Sequence, residues 1–355
     1  MTLRERLMTV YRGGKADRVP LTIYDWILEA ACPGKGNPFE KEGLTLLGVA
    51  SVFKDKPDNT ITIDQKEVGS GRDRQTITTI KTPVGEVTEC AGFDPSFDSK
   101  WVTKHFIKSP EDYKVMQYFY DHTTTEPSYE KFIEADEKMG QRGIIIGGIH
   151  PIPVAWLMLE IMGTETWCEG VMLHTDEYDA LQGSLTRVYK RRLEIAADSP
   201  AEVVWYAESL TGTIVSPSLF NKYCKPIYDY GSKILKQAGK LTFSHYDGDN
   251  LSLEDCIAGV DIDIIEAFTP PPMCDMTIAR ARAAWPDKVL SMNFPGTLFG
   301  EPAEVIEKYT CEYMEQAGSD GKFAIGCTEE FDFARFEHTF SAISRAMERF
   351  QTKSQ

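Results

Sequence analysis

Residues 241–266 decide how this chain is read. They run Leu241-Thr-Phe-Ser-His245, then Leu251-Ser-Leu-Glu-Asp-Cys-Ile-Ala258, then Val260-Asp-Ile-Asp-Ile-Ile-Glu266. A β-prone run, a short helical pattern and a second β-prone run spell strand, helix, strand, the unit of a buried parallel sheet. Lys322-Phe-Ala-Ile-Gly-Cys327 likewise stops on a polar residue. In a barrel of such strands the C-terminal ends converge on one mouth, where chemistry is done. His245, Glu266 and Cys327 would meet there as an imidazole, a carboxylate and a thiol. That donor set suits an open, catalytic zinc site with three protein ligands. The alternative is three unrelated strand-end residues, because buried Cys and satisfied His are common.

Outward from this stretch the alternation continues. Gly143-Ile-Ile-Ile-Gly-Gly-Ile149 is the clearest strand, and others are expected near 203–207, 289–293 and 322–327. Helical patterns near 217–238, 275–284 and 301–317 separate them. Ser216-Pro217 supplies an N-cap and a first-turn proline. Toward the N-terminus a short helix over 3–13 precedes a strand at 19–26, and Thr60-Ile-Thr-Ile63 reads as the second strand. Thr76–Ile80 and Glu86–Glu89 flank the turn signal Thr82-Pro-Val-Gly85, a β-hairpin excursion from the alternation. Helices are expected over 109–119 and 126–140. The whole predicts an α/β protein: one (β/α)8 TIM barrel domain over residues 1–355 with an N-terminal β-hairpin excursion.

The formal charge of −16 over 355 residues argues against nucleic acid or an anionic membrane as partner, since both need basic patches. Eight scattered cysteines without a CxxC pair fit reduced thiols rather than disulfides. The charged start Met-Thr-Leu-Arg-Glu-Arg-Leu lacks the apolar core of a signal peptide, and no apolar run approaches the ~18 residues of a membrane span. The expected compartment is the cytoplasm.

Several stretches carry a resemblance. Arg4 to Pro20, Gly212-Thr-Ile-Val-Ser-Pro217 with Pro226 downstream, Ser244-His-Tyr-Asp-Gly248 and Ser291-Met-Asn-Phe-Pro-Gly296 together resemble the uroporphyrinogen decarboxylase superfamily. The resemblance covers nearly the whole chain and implies a (β/α)8 barrel. Decarboxylases of that superfamily carry an Arg-rich segment after the first strand; here Ile23-Tyr-Asp-Trp-Ile-Leu-Glu29 has no Arg, so a tetrapyrrole decarboxylase is disfavoured. The other branch comprises zinc-dependent methyltransferases that work with corrinoid proteins. Its thiol-methylating members hold zinc by His-x-Cys and a later Cys, whereas this chain reads His245-Tyr-Asp247, with Cys327 about where the last ligand falls. The resemblance therefore implies a zinc site of His245, Cys327 and a carboxylate, Glu266 before Asp247, with Glu266 and Asp247 as the catalytic carboxylates. It points to methyltransferases that demethylate methyl ethers, particularly methoxylated aromatics, and pass the methyl group to cobalt(I). No corrinoid-binding Asp-x-His-x-x-Gly stretch is found, so the corrinoid is expected on a partner protein. A thiol- or amine-specific methyltransferase and a catalytically idle relative stay open, and a homodimer is compatible with the reading.

Other strand-end residues are candidates for substrate binding. Glu208 follows strand four and could bind a hydroxyl or a metal, or serve as a cap. His150 follows strand three. Asp25 and Trp26 end strand one; Trp26, Tyr246 and Phe294 could wall an aromatic ring, though such aromatics often only pack. Asn293 could orient a ligand. Glu329-Glu330 is read as the start of the last helix, where acidic residues favour the dipole, and carries no assigned chemistry.

Overall fold

Leu21–Tyr24 (β1), Leu44–Ser51 (β2), Gly143–Gly148 (β3), Val203–Trp205 (β4), Leu241–His245 (β5), Ile264–Phe268 (β6), Val289–Asn293 (β7) and Phe323–Cys327 (β8) close into a barrel. Every neighbouring pair is parallel, and β1 completes the ring by pairing with β8, Ile23 opposite Cys327. The computed structural model describes residues 1–94, 99–329 and 331–353. They form two compact units, one of residues 1–52, 129–149 and 196–355 and one of residues 53–128 and 150–195. The first is the barrel with its helices, so the expected fold class holds.

Most strands lie where the apolar runs put them, because strands buried on both faces read as continuous Val, Ile and Leu. The second does not. Thr60–Ile63 leads into an exposed edge strand, Thr62–Val68, and the barrel's own second strand is Leu44-Thr-Leu-Leu-Gly-Val-Ala-Ser51. That segment has no alternation and three small residues, Gly48, Ala50 and Ser51, so its pattern suits a helix as well as a strand. Gly48 leaves room there for two side-chain ends, since a Cβ would lie 2.5 Å from Ile145 Cδ1 and 2.9 Å from an Asp25 carboxylate oxygen. Several strand limits also differ, β4 ending at Trp205 rather than at 207. Asp25 and Trp26 open the helix Asp25–Ala31 rather than ending β1, and β6 continues past Glu266 to Phe268 through an irregularity.

Inside the barrel, Tyr11 of the helix Leu3–Tyr11 comes to 3.4 Å from the Ser291 hydroxyl of β7 and packs 5.7 Å from the Phe243 ring of β5. Helix Leu3–Tyr11 starts with a capping box, Thr2 and Glu5 satisfying each other's backbone N–H groups. The expected helix over 217–238 is a short helix, a π-turn at Phe220–Cys224, and the helix Lys225–Gln237. Pro226 explains the break, having no N–H to continue the ladder.

The second unit holds the expected hairpin, with Thr82 opposite Gly85, inside a four-stranded antiparallel sheet of Thr62–Val68, Gln75–Thr82, Gly85–Asp94 and Ser99–Lys104. Phe53–Pro57 pairs with Thr123–Pro127 in a two-stranded sheet. The excursion is thus larger than one hairpin. No helix among the described residues is long and apolar enough to cross a membrane.

Candidate functional site

β5 and β6 run side by side with His245 opposite Glu266. Glu266 is fully buried, and both its oxygens are engaged: Tyr24 of β1 donates to Oε1 at 2.8 Å, and His245 Nδ1 lies 2.6 Å from Oε2. The other ring nitrogen, His245 Nε2, faces Asp247 at 3.5 Å. This is a carboxylate-histidine pair whose buried member fixes the ring and turns Nε2 toward Asp247. Burial alone would lower the His245 pKa, but the Glu266 and Asp247 charges outweigh it, and the imidazole titrates well above its ordinary value. Asp247 moves the other way: burial would raise it, yet His245 carries the net shift downward.

Glu208, just past β4, is the second buried carboxylate. It accepts from the His245 backbone N–H at 2.8 Å and from Tyr228 at 2.7 Å, and Tyr246 donates to the Tyr228 hydroxyl at 2.8 Å. Burial raises its pKa to about 7 against the lowering effect of these bonds. The backbone beside both carboxylates is strained. Ala207, Ser209 and Ala267 all have φ near +50°, at 48°, 45° and 56°. Non-glycine residues held there cost of order 1–3 kcal/mol each, and such strain clusters at functional sites.

The remaining candidates divide. Trp26 stays with the mouth, stacking on Tyr24 at 4.1 Å. Asp25 does not: it lies against β2 at Gly48 and beside Lys138, and burial raises its pKa. β1 stops at Tyr24 and the chain turns there into the helix Asp25–Ala31, which carries Asp25 away from the mouth. Tyr246 is buried in the tyrosine chain behind Glu208, and Phe294 is buried against Phe299 and Tyr313. Asn293 ties strand ends together, donating to Thr269 Oγ1 at 3.2 Å and accepting from the Thr328 N–H at 3.0 Å. His150 belongs to the second unit, where its ring stacks on Trp156 and meets the Phe53 ring edge-on. Burial, then the charge of Arg192, lowers its pKa to about 4.

Cys327 is buried and separate from the pair. Its thiol donates to the Glu329 carbonyl oxygen at 3.6 Å, and burial pushes its pKa up. Register explains this, since Cys327 is opposite Ile23 and shares that residue's side of the sheet rather than Tyr24's. Among the described residues no group of three or more His, Cys, Asp and Glu side chains is arranged to hold a metal ion. The zinc set His245, Glu266 and Cys327 therefore does not fit as placed.

Two residues join the site that the sequence reading passed over. Trp205, the last residue of β4, packs 5.9 Å from both the His245 and Tyr24 rings, and its buried indole N–H has no partner among the described residues. Glu329 was read as a helix start, but the last helix is Phe336–Lys353 after a short turn. Glu329 is a half-buried loop residue whose pKa is raised by burial and by Asp247, with His245 and Asn293 opposing. Glu330 lies outside the described residues. Trp205 lay inside the expected strand 203–207, which in the structure stops at Trp205; for Glu329 there was no signal.

No family model matches this chain, and no curated protein matches it. Among solved structures it is similar to a Listeria monocytogenes protein described as a vitamin-B12-independent methionine synthase, at 16% identity over 64% of this chain and 71% of that one, TM-score 0.42. It is also similar to a glycoside hydrolase family 5 enzyme from Prevotella bryantii B14, at 13% identity over 62% and 74%, TM-score 0.37. A third is the pneumococcal virulence factor StrH, at 8% identity over 94% and 84%, TM-score 0.39. Likeness at this level carries no argument about function.

Proposed function

We propose that this chain is an enzyme that cleaves a methyl ether, a methoxylated aromatic by preference, and passes the methyl group to a corrinoid carried by a separate protein. The observation that supports it best is the line Tyr24–Glu266–His245–Asp247 at the barrel mouth, with Trp26 and Trp205 beside it. A reduced corrinoid supplies the nucleophile that takes the methyl carbon. The chain's task is then to hold the ether and to make its oxygen a better leaving group.

An ether is inert because alkoxide and phenoxide leave badly. His245, held protonated between two carboxylates, can place its Nε2 proton on that oxygen as the carbon–oxygen bond breaks, so the product leaves as the neutral phenol. Glu266, anchored by Tyr24, keeps Nδ1 occupied and the ring aligned. The aromatic side chains Tyr24, Trp26 and Trp205 offer faces to a ring, and the unpartnered Trp205 N–H offers it a hydrogen bond. Water then returns the proton to His245.

The test is to mix the chain with methoxylated aromatics, with and without a reduced corrinoid, and follow phenol release by chromatography. Release only with the corrinoid is expected. Demethylation of thiols or amines but of no ether would sink the reading. Zinc could take His245 at Nε2 with Nδ1 still on Glu266, but Cys327 would have to give up its bond to the Glu329 carbonyl oxygen. Elemental analysis decides that point: one zinc per chain, lost in Cys327→Ala, would restore the metal set.

A further inference from the structure

At the opposite, N-terminal rim of the barrel unit lies a cavity of about 490 Å³, within the size range of small-molecule sites. Arg18, just before β1, lines it, as do Ser344 and Gln351 of the helix Phe336–Lys353. These three share an unusual property. The Arg18 guanidinium has no ion pair and no hydrogen bond among the described residues, although it is only partly exposed. Its neighbour Asp17 is engaged by Arg6 instead. The Ser344 hydroxyl and the Gln351 side-chain nitrogen are both buried and both without a partner among the described residues.

Buried polar groups are normally satisfied, so three donors left open around one cavity require an explanation. All three can donate, and the cation among them is a planar fork suited to paired oxygens. Gly43 makes room for it: a side chain there, at φ 98°, would run into the Arg18 guanidinium. Burial first, and the Arg6 charge second, disfavour the charged form of Arg18, while Asp17, Glu348 and Glu42 only partly offset this. Glu42 and Glu348 also line the cavity but are exposed and make no ion pair with Arg18. Lys41 and Arg345 add positive charge at the edge, Arg345 being shared with Glu307.

We propose that this cavity binds a small oxyanion, a molecule bearing a phosphate or carboxylate group that Arg18 grips bidentately while Ser344 and Gln351 donate to its remaining oxygens. The site is independent of the methyl-transfer reading and lies at the other end of the strands from His245. In a chain of charge −16, a local cationic fork of this kind is the feature that would overcome the general repulsion of anions.

Titration calorimetry on the full chain, with inorganic phosphate in one arm and citrate in the other, tests the proposal at constant ionic strength. Saturable binding at one site per chain is expected for one of the two probes, and which probe binds assigns the ligand's acid group. Arg18→Gln should weaken it roughly tenfold or more, as loss of a bidentate charge-assisted contact does. Glu42→Gln should tighten it. If Arg18→Gln fails to fold, Ser344→Ala carries the test, because its hydroxyl has no partner among the described residues to lose. No saturable binding of either probe up to about 10 mM overturns the proposal. So does binding that Arg18→Gln and Ser344→Ala leave unchanged.

Discussion

The two ends of the barrel treat buried polarity in opposite ways, and β1 connects them. At its C-terminal end Tyr24 donates to Glu266, which holds His245, while Glu208 accepts from the His245 backbone and from Tyr228. Every one of those groups is answered by another side chain or by backbone, and the Trp205 indole N–H is the exception beside them. At its N-terminal end the Arg18 guanidinium, the Ser344 hydroxyl and the Gln351 side-chain nitrogen are answered by nothing among the described residues. A low-dielectric site makes satisfied groups rigid and unsatisfied groups costly. The mouth is therefore organised to hold an internal geometry, and the rim to accept something from outside.

The largest expected effect lies at the mouth. His245→Ala removes the proton-bearing nitrogen and should lower kcat/KM for ether cleavage by roughly 10²- to 10⁴-fold, the range of a single positioned acid. Circular dichroism should be unchanged, since strand-end residues at this face serve chemistry more than stability. A His245→Ala enzyme within about twofold of wild type would remove the mouth from the catalytic account.

Glu208 gives the next largest effect, and its sign can be worked out. The carboxyl rises from 4.5 to about 7, burial being the main cause. The folded chain then binds this proton more tightly than the unfolded chain. Between those two values stability must fall as pH rises, and below 4.5 the full stability is present. At ~1.4 kcal/mol for each pKa step, the loss is on the order of 3 kcal/mol by pH 8. Glu208→Gln should flatten that dependence in urea melts at pH 4.5 and pH 8. A variant with the same slope as wild type would mean that Glu208 titrates normally in the fold.

How much of this was legible follows from which signals are local. Buried parallel strands announce themselves as apolar runs, so β3 and β5 to β8 were readable, as were His245 and Glu266 near the ends of adjacent strands. β2 was not, because Leu44–Ser51 has neither alternation nor a β-branched majority. The pairing of His245 with Glu266 depends on parallel register, which sequence position does not encode. The same register places Cys327 opposite Ile23 and away from them. Asp25 went outward for a reason of one residue: β1 stops at Tyr24. Glu329 reached the mouth because the last helix starts later than its acidic residues suggested.

Tyr24→Phe isolates one hydrogen bond of the mouth. It keeps the ring and its stack on Trp26 but strips the donor from a fully buried carboxylate oxygen. The unsatisfied Glu266 should cost about 1–3 kcal/mol in urea denaturation. Wild-type stability in this variant would show that Glu266 finds another donor.

Ser344→Ala is the counterpart at the rim and should have the smallest effect of all. It also deletes a buried hydroxyl, but one with no partner, so no group is left orphaned by its removal. The asymmetry of hydrogen-bond energetics then predicts a change within about 0.5 kcal/mol, toward greater stability if toward anything. Urea denaturation of Tyr24→Phe and Ser344→Ala side by side is the direct comparison of the two ends. If both cost the same, Ser344 has a partner in the folded chain, and the rim is as complete in itself as the mouth. If Ser344→Ala is neutral in buffer yet lowers the stabilisation given by phosphate or citrate, the hydroxyl is reserved for a ligand, because only a bound oxyanion could make its loss visible.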